Sequence, residues 1–223
     1  MEFIAYPDRE MMMLALADRL TGDLAMALRN QERVTLSVPG GTTPGPIFDV
    51  LAAQDLDWDR VAIVLNDERW VPEDSPRSNT ALIKKRLLIS KAKPATLIPL
   101  YAEALTPEDK IGALCDGVAA HLPIAVLLLG MGEDMHTASL FPGADNLAAA
   151  LADDAPPLMA MRADAAGEPR ITLTAPVLRA ALATHIVITG AAKRAASERA
   201  AQLSPLEAPV ACVLGQAVVH WAE

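Results

Sequence analysis

The chain has 223 residues, 52% of them hydrophobic but only 4% aromatic, so a sizeable core must be built mainly from Ala, Leu, Val, Ile and Met. The formal net charge is -9 and no basic patch is visible, which excludes a nucleic-acid binder and a protein drawn to an anionic membrane surface. An anionic small molecule remains a possible ligand, provided backbone amides and a few Arg or Lys residues make the pocket locally positive.

The N-terminus, Met1 to Asp8, has neither a basic region nor a long apolar stretch, so no secretory signal is read there. Asp8 is placed to cap a helix over 9–29, in which Met11, Leu14, Leu20, Leu24 and Leu28 recur near helical spacing. Residues 34–38 read as a strand ended by Gly40-Gly41, and Pro44 fits the first turn of a helix holding Ile47, Phe48 and Leu51. A second apolar strand spans 61–65, and Ser78 caps a helix through Leu88. A weaker strand follows at 96–100, a helix at 107–120 and a strongly apolar strand at 124–129. The segment 153–169, rich in Pro, Asp and Ala, is the best boundary candidate, but it reads as part of one domain with an edge strand near 158–161. The remaining elements are a strand at 171–173, a helix at 177–183, a strand at 185–189 ended by Gly190, a helix at 191–203 and late strands at 210–213 and 218–221. Apolar strands alternating with helices predict an α/β fold, with a three-layer α/β/α, Rossmann-like, mainly parallel sheet in a single domain over 1–223.

No apolar run approaches the roughly 18 residues that span a bilayer, so a cytoplasmic protein without membrane partners is expected. Cys115 and Cys212 lack metal-ligand spacing and read as small buried apolar residues rather than a disulfide.

Three stretches after strands and a late pair of basic residues are the candidates for chemistry. In Gly40-Gly41-Thr42-Thr43-Pro44 the glycines admit a ligand close to the backbone, and Thr43 is placed to cap the helix that Pro44 starts; the pattern suits a phosphate but equally suits a plain turn. Asn66-Asp67-Glu68-Arg69 follows the second strand at once. Arg69 can bind an oxyanion through its planar fork and Asp67 can orient a base, although a solvated loop with a local ion pair has the same composition. The apolar run ending at Leu129 opens into Gly130-Met131-Gly132-Glu133-Asp134-Met135-His136, followed by 137–140, which is placed to begin a short helix. His136, beside Asp134, is a candidate general base, whereas His121, His185 and His220 read as structural. No GxSxG elbow is present, and Asp134 and His136 lack a third metal ligand, so neither a serine nucleophile nor a metal site is expected. Arg170 and Lys193 complete the set; Lys193 in a helix's first turn opposes the macrodipole unless an anion binds there.

In this order, these stretches resemble the 6-phosphogluconolactonase family. The match runs through Gly40 to Pro44, Asn66 to Pro72, Ser78-Asn79, Gly130 to Gly143, Arg170 to Thr174 and Thr189 to Lys193. One departure is Met135, where the family usually has Gly. The resemblance implies a sugar-phosphate isomerase-like fold and hydrolysis of 6-phospho-D-glucono-1,5-lactone to 6-phosphogluconate, with no cofactor. It implies His136 as the base that activates water, with Arg69 stabilising negative charge and Asp67 and Asp134 orienting the partners. Gly40, Gly41, Thr42, Thr43, Arg170 and Lys193 are implied to hold the phosphate. The small-molecule lactone is then the only partner expected, and a monomer is expected rather than a higher oligomer. Two other readings stand beside it: a glucosamine-6-phosphate deaminase-isomerase, disfavoured because 137–142 holds no acid, and a non-catalytic sugar-phosphate sensor, which would not need His136.

Overall fold

An uninterrupted apolar run such as Val61–Leu65 has no polar face, so it fits only a sheet covered on both sides. The computed structural model describes residues 1–223, save the side chain of Ala165. Its elements are β1 (Glu2–Ala5), α1 (Arg9–Asn30), β2 (Val34–Val38), α2 (Gly45–Ala52), β3 (Val61–Leu65), β4 (Asp67–Arg69), α3 (Asn79–Arg86), β5 (Thr96–Ile98), α4 (Ile111–Ala119), β6 (Val126–Gly130), α5 (Leu147–Leu151), β7 (Leu158–Met161), β8 (Arg170–Leu173), α6 (Ala175–Arg179), β9 (Ala183–Thr189), α7 (Ala191–Ala200), α8 (Ala211–Leu214) and β10 (Val218–Ala222). Seven strands form one sheet in the order β1-β10-β9-β6-β2-β3-β5, and every pair in it is parallel. The α/β, mainly parallel architecture expected from the alternating pattern is therefore present.

The strand order dictates where a ligand can sit. From β2 the chain builds outward through β3 to β5, then returns to lay β6 on the other side of β2. This reversal opens a crevice at the carboxyl ends of β2 and β6. The residues that follow those ends are Pro39-Gly40 and Met131-Gly132. Helix α1 covers the sheet with Met12, Leu16, Leu20 and Leu24, all fully buried, and Asp8 caps it by accepting a hydrogen bond from the Met11 amide at 2.8 Å.

A second, antiparallel sheet of order β4-β8-β7 was not anticipated. Strand β4 has three residues, all charged, which hides it from any hydrophobic pattern; β1 and α5 are likewise too short to signal themselves. The strands expected near 158–161 and 171–173 exist, but they belong to this small sheet.

Several expectations need correction. Residues 210–213 are not a strand: Ala211–Leu214 is helix α8, because Pro209 precedes it and local bonds such as Val213 N–H to Val210 O close the turns. The helix expected at 177–183 is α6 at Ala175–Arg179; Ala183 already donates to Ala125 O as β9 begins. The single helix expected over 107–120 is a 3₁₀ turn at Pro107–Asp109 followed by α4. Thr43 does not cap α2. Pro44 holds the cap position with helical φ and ψ, no side chain bonds the end, and a turn from Gly45 N–H to Thr42 O places Thr43 too early. Residues 137–140 form a bridged turn rather than a helix, since Ala138 has φ 49° and the Ser139 amide bonds the Thr172 hydroxyl instead. Both cysteines are free as expected, but partly exposed rather than fully buried.

Candidate active site

The polar cluster after β3 divides its labour. Asn66, fully buried, is a structural pin: it accepts from the Ser37 hydroxyl at 2.7 Å and donates from Nδ2 to Leu128 O at 2.8 Å, tying together the ends of β2, β3 and β6. Glu68, 1% exposed, accepts from the amides of Arg69, Asn79 and Thr80 and from the Ser78 hydroxyl. Its carboxylate thus anchors the N-terminus of α3 to β4. Alternation along β4 sends Asp67 and Arg69 the other way, into a pocket of about 240 Å³ at the β2/β6 crevice.

Antiparallel pairing of β4 with β8 sets Arg69 directly opposite Arg170. Lys193 and His136 line the same pocket, as do Gly40, Gly41 and Thr43. The fold therefore gathers cations from residues 69, 170 and 193 into one cavity of an acidic protein. Burial pulls the Arg170 guanidinium below its usual pKa, Asp67 at 3.6 Å pushes it back up, and Arg69 pulls it down again. Asp67 is itself held by the Ser139 hydroxyl, which donates at 2.6 Å. The Nε–H groups of Arg69 and Arg170 are buried without a partner, a cost of about 1–3 kcal/mol each unless a ligand satisfies them.

His136 sits on the loop after β6. Its Nδ1 lies 2.6 Å from Asp134 Oδ1, and its ring packs on Phe141 at a centroid distance of 4.4 Å. A carboxylate only accepts, so Nδ1 carries a proton, and in the neutral imidazole the lone pair is then on Nε2. Gly132 makes this possible: a Cβ there would lie 2.2 Å from His136 Nδ1 and 2.3 Å from Asp134 Oδ1. The pair folds back over a residue that must lack a side chain. Gly40 does similar work, since a Cβ there would strike the Asn79 carboxamide at 2.0 Å.

Two of the expected residues stand apart. Thr42 faces a neighbouring cavity of about 470 Å³, which also reaches Thr43 but contains no histidine, and Asp134 lines a different recess and acts on the pocket only through His136. Asn79 and Ser139 are site residues that sequence reasoning did not assign. Asn79 lines the pocket and donates from Nδ2 to Asp67 O at 3.0 Å, but the sequence shows only a residue beside a helix cap. Among the described residues, no three His, Cys, Asp or Glu side chains gather as a metal ion would need.

The family model for glucosamine-6-phosphate isomerases/6-phosphogluconolactonase matches residues 7–221. The chain belongs to this family. A 6-phosphogluconolactonase of Mesorhizobium japonicum is 41% identical over 227 residues, covering 98% of this chain and 94% of that protein. One from Caulobacter vibrioides is 36% identical, covering 98% and 96%. The crystal structure of a 6-phosphogluconolactonase from Shewanella baltica superposes with a TM-score of 0.96 at 28% identity, covering 100% of this chain and 97% of that one. Against the family's usual glycine, Met135 adopts φ 66°, the left-handed conformation that a glycine takes without strain. The side chain explains how Met is held there: it is 8% exposed, packs into the core, and its sulfur lies 3.9 Å from Arg199 Nη2.

Proposed function

We propose that the chain is a hydrolase that opens 6-phospho-D-glucono-1,5-lactone to 6-phosphogluconate, and the observation that carries this is the His136–Asp134 pair at the mouth of a pocket lined by Arg69, Arg170 and Lys193. The relatives' shared name supports the same reaction. The lone pair on His136 Nε2 takes a proton from water as the water oxygen bonds to the lactone carbonyl carbon. Asp134 holds the ring and stabilises the imidazolium that results. The ring C–O bond then breaks, and the departing alkoxide takes the proton back. Arg69 stabilises the carbonyl oxygen as it gains charge, while Arg170 and Lys193 hold the phosphate with the Gly40–Gly41 backbone and Thr43 beside it. Asp67 keeps Arg170 in place. An activated ester needs little beyond a base, an oxyanion donor and positioning.

The deaminase reading is disfavoured by a specific feature. Ring opening and amine release need several acids to shuttle protons, whereas Asp67 is the one carboxylate among the lining residues of this pocket. We read the protein as one domain over 1–223, acting as a cytoplasmic monomer on a free small molecule. No helix among the described residues is long and apolar enough to cross a membrane.

The test is acid release from freshly made lactone at neutral pH against an enzyme-free blank. Acceleration is expected, and His136→Ala should slow turnover about 10³-fold, within the range general bases contribute, while 6-phosphogluconate binding changes little. No acceleration by the wild-type protein sinks the assignment, and wild-type turnover in His136→Ala removes His136 as the base.

A further inference from the structure

Away from the pocket, four polar groups from distant parts of the chain meet inside the fold. Tyr6 follows β1, Asp23 lies on α1, His185 on β9 and His220 on β10. Both imidazoles are buried, at 2% and 1% exposure. Tyr6 Oη is 2.8 Å from His220 Nδ1, His220 Nε2 is 3.1 Å from His185 Nδ1, and His185 Nε2 is 2.9 Å from Asp23 Oδ2.

The donors in this chain run in one direction only. A carboxylate accepts and does not donate, so His185 donates from Nε2 and its Nδ1 is the acceptor. His220 must then donate from Nε2, which leaves its Nδ1 to accept from the Tyr6 hydroxyl. Every ring nitrogen is satisfied with both histidines neutral. A proton added to His185 at Nδ1 forces His220 to accept at Nε2 and donate from Nδ1, so the Tyr6 hydroxyl can no longer donate to the ring. One added to His220 turns Tyr6 from donor to acceptor, and it leaves a buried imidazolium whose contacts in the chain are a hydroxyl and another imidazole.

We propose that Tyr6, His220, His185 and Asp23 form an acid-sensitive clasp, which fastens the edge strand β1 and helix α1 to β9 and β10 most firmly while both imidazoles are neutral.

The surrounding charges do not rescue the protonated state. Glu2 on β1 and Asp23 on α1 favour an imidazolium at His185, but Arg19 on α1 opposes it at both rings, and Arg19 is itself 3.4 Å from Asp23. Asp18 on α1 lines the small cavity beside Tyr6 and His220. Strands β6, β9 and β10 bring no further charged residue. Burial outweighs the rest: it pulls His185 below the usual range and, with His185 and Arg19 adding to it, takes His220 down to about 3.

The direction of the pH effect follows from proton counting. In the unfolded chain a histidine titrates near 6.5, so below that pH the unfolded state binds more protons and stability falls as pH falls. Above it both states are neutral and the clasp adds no pH dependence. From pH 7 to pH 5, His220 alone should raise the unfolding equilibrium constant about 25-fold.

Nitrogen-15 NMR of the full chain at pH 7 should find His185 and His220 both neutral and both protonated at Nε2. A proton on Nδ1 of either ring overturns the proposal. Amide hydrogen exchange of β1 should rise more steeply between pH 7 and pH 5 than that of β2 and β3, after correction for intrinsic rates; equal changes overturn it. In denaturant melts, His220→Gln should lose about 25-fold of the wild-type pH effect, and an unchanged profile counts against the clasp. If that variant does not fold, the tautomer measurement on the wild type decides the matter.

Discussion

Replacing Gly132 with alanine should separate catalysis from folding. The new Cβ would sit 2.2 Å from His136 Nδ1 and 2.4 Å from His136 Cε1, where ordinary contact begins at 3.4 Å. The imidazole must therefore retreat by about 1.2 Å, and Asp134, struck at 2.3 Å, must move with it. A displacement of about 1 Å at a catalytic group costs roughly 100-fold in rate, or about 2.7 kcal/mol of barrier. Folding should hardly respond. Gly132 is not among the residues with positive φ, so alanine fits the backbone, and its smaller unfolded-state entropy contributes about 0.4–1 kcal/mol in favour of the fold. The assay is proton release from fresh lactone in a pH-stat, with spontaneous hydrolysis subtracted, beside a thermal melt. Gly132→Ala should show kcat down about 100-fold, KM little changed because the phosphate contacts are untouched, and Tm within a few degrees of wild type. Gly117→Ala, on α4 outside the pocket and with a Cβ that would meet nothing within 4 Å, is the control and should keep its kcat. A Gly132→Ala enzyme with wild-type kcat would refute the account of how the loop holds its base.

Two further outcomes follow from other residues. At Met135 the left-handed backbone costs about 1–2 kcal/mol for a residue with a side chain, while burying the Met contributes about 1.5–3 kcal/mol. Burial wins, so neither Met135→Gly nor Met135→Ala should exceed wild-type stability in denaturant melts; glycine, which relieves the strain, should be the better of the two by about 1 kcal/mol. Burial also pushes the Cys212 thiol up to about 12 despite the charge of Arg179. Its thiolate fraction at pH 8 is then on the order of 10³-fold below that of a free thiol titrating near 8.5, and mass spectrometry should show iodoacetamide labelling slowed accordingly in the folded protein.

The parallel sheet was legible because its strands are apolar on both faces, a pattern that fits few alternatives. The site loops were legible for a related reason: glycines and charged residues interrupt those runs abruptly at 40–41, 66–69 and 130–136. Elements made of few residues, or of charged ones, were not. Strand β4 reads Asp-Glu-Arg and becomes a strand only because β8 lies beside it. The same holds for 210–213, whose valines suggest a strand until Pro209 and local turns are seen to make a helix.

By itself the sequence determined the layered α/β class, the strand-end position of the candidate site loops and the nearness of Asp134 to His136, since all three depend on local spacing. Tertiary structure decided what depends on distance across the chain. Register between β4 and β8 sets Arg69 opposite Arg170, and Ser139 reaches Asp67 from 72 residues away. The Asn79 carboxamide takes the space that Gly40 leaves. His185 and His220, read as merely structural, find each other and Asp23 only once β9, β10 and α1 are packed. The physical reason is the same in each case: a hydrogen bond or a steric contact acts over about 3 Å, and a sequence carries no such distance until the backbone has closed.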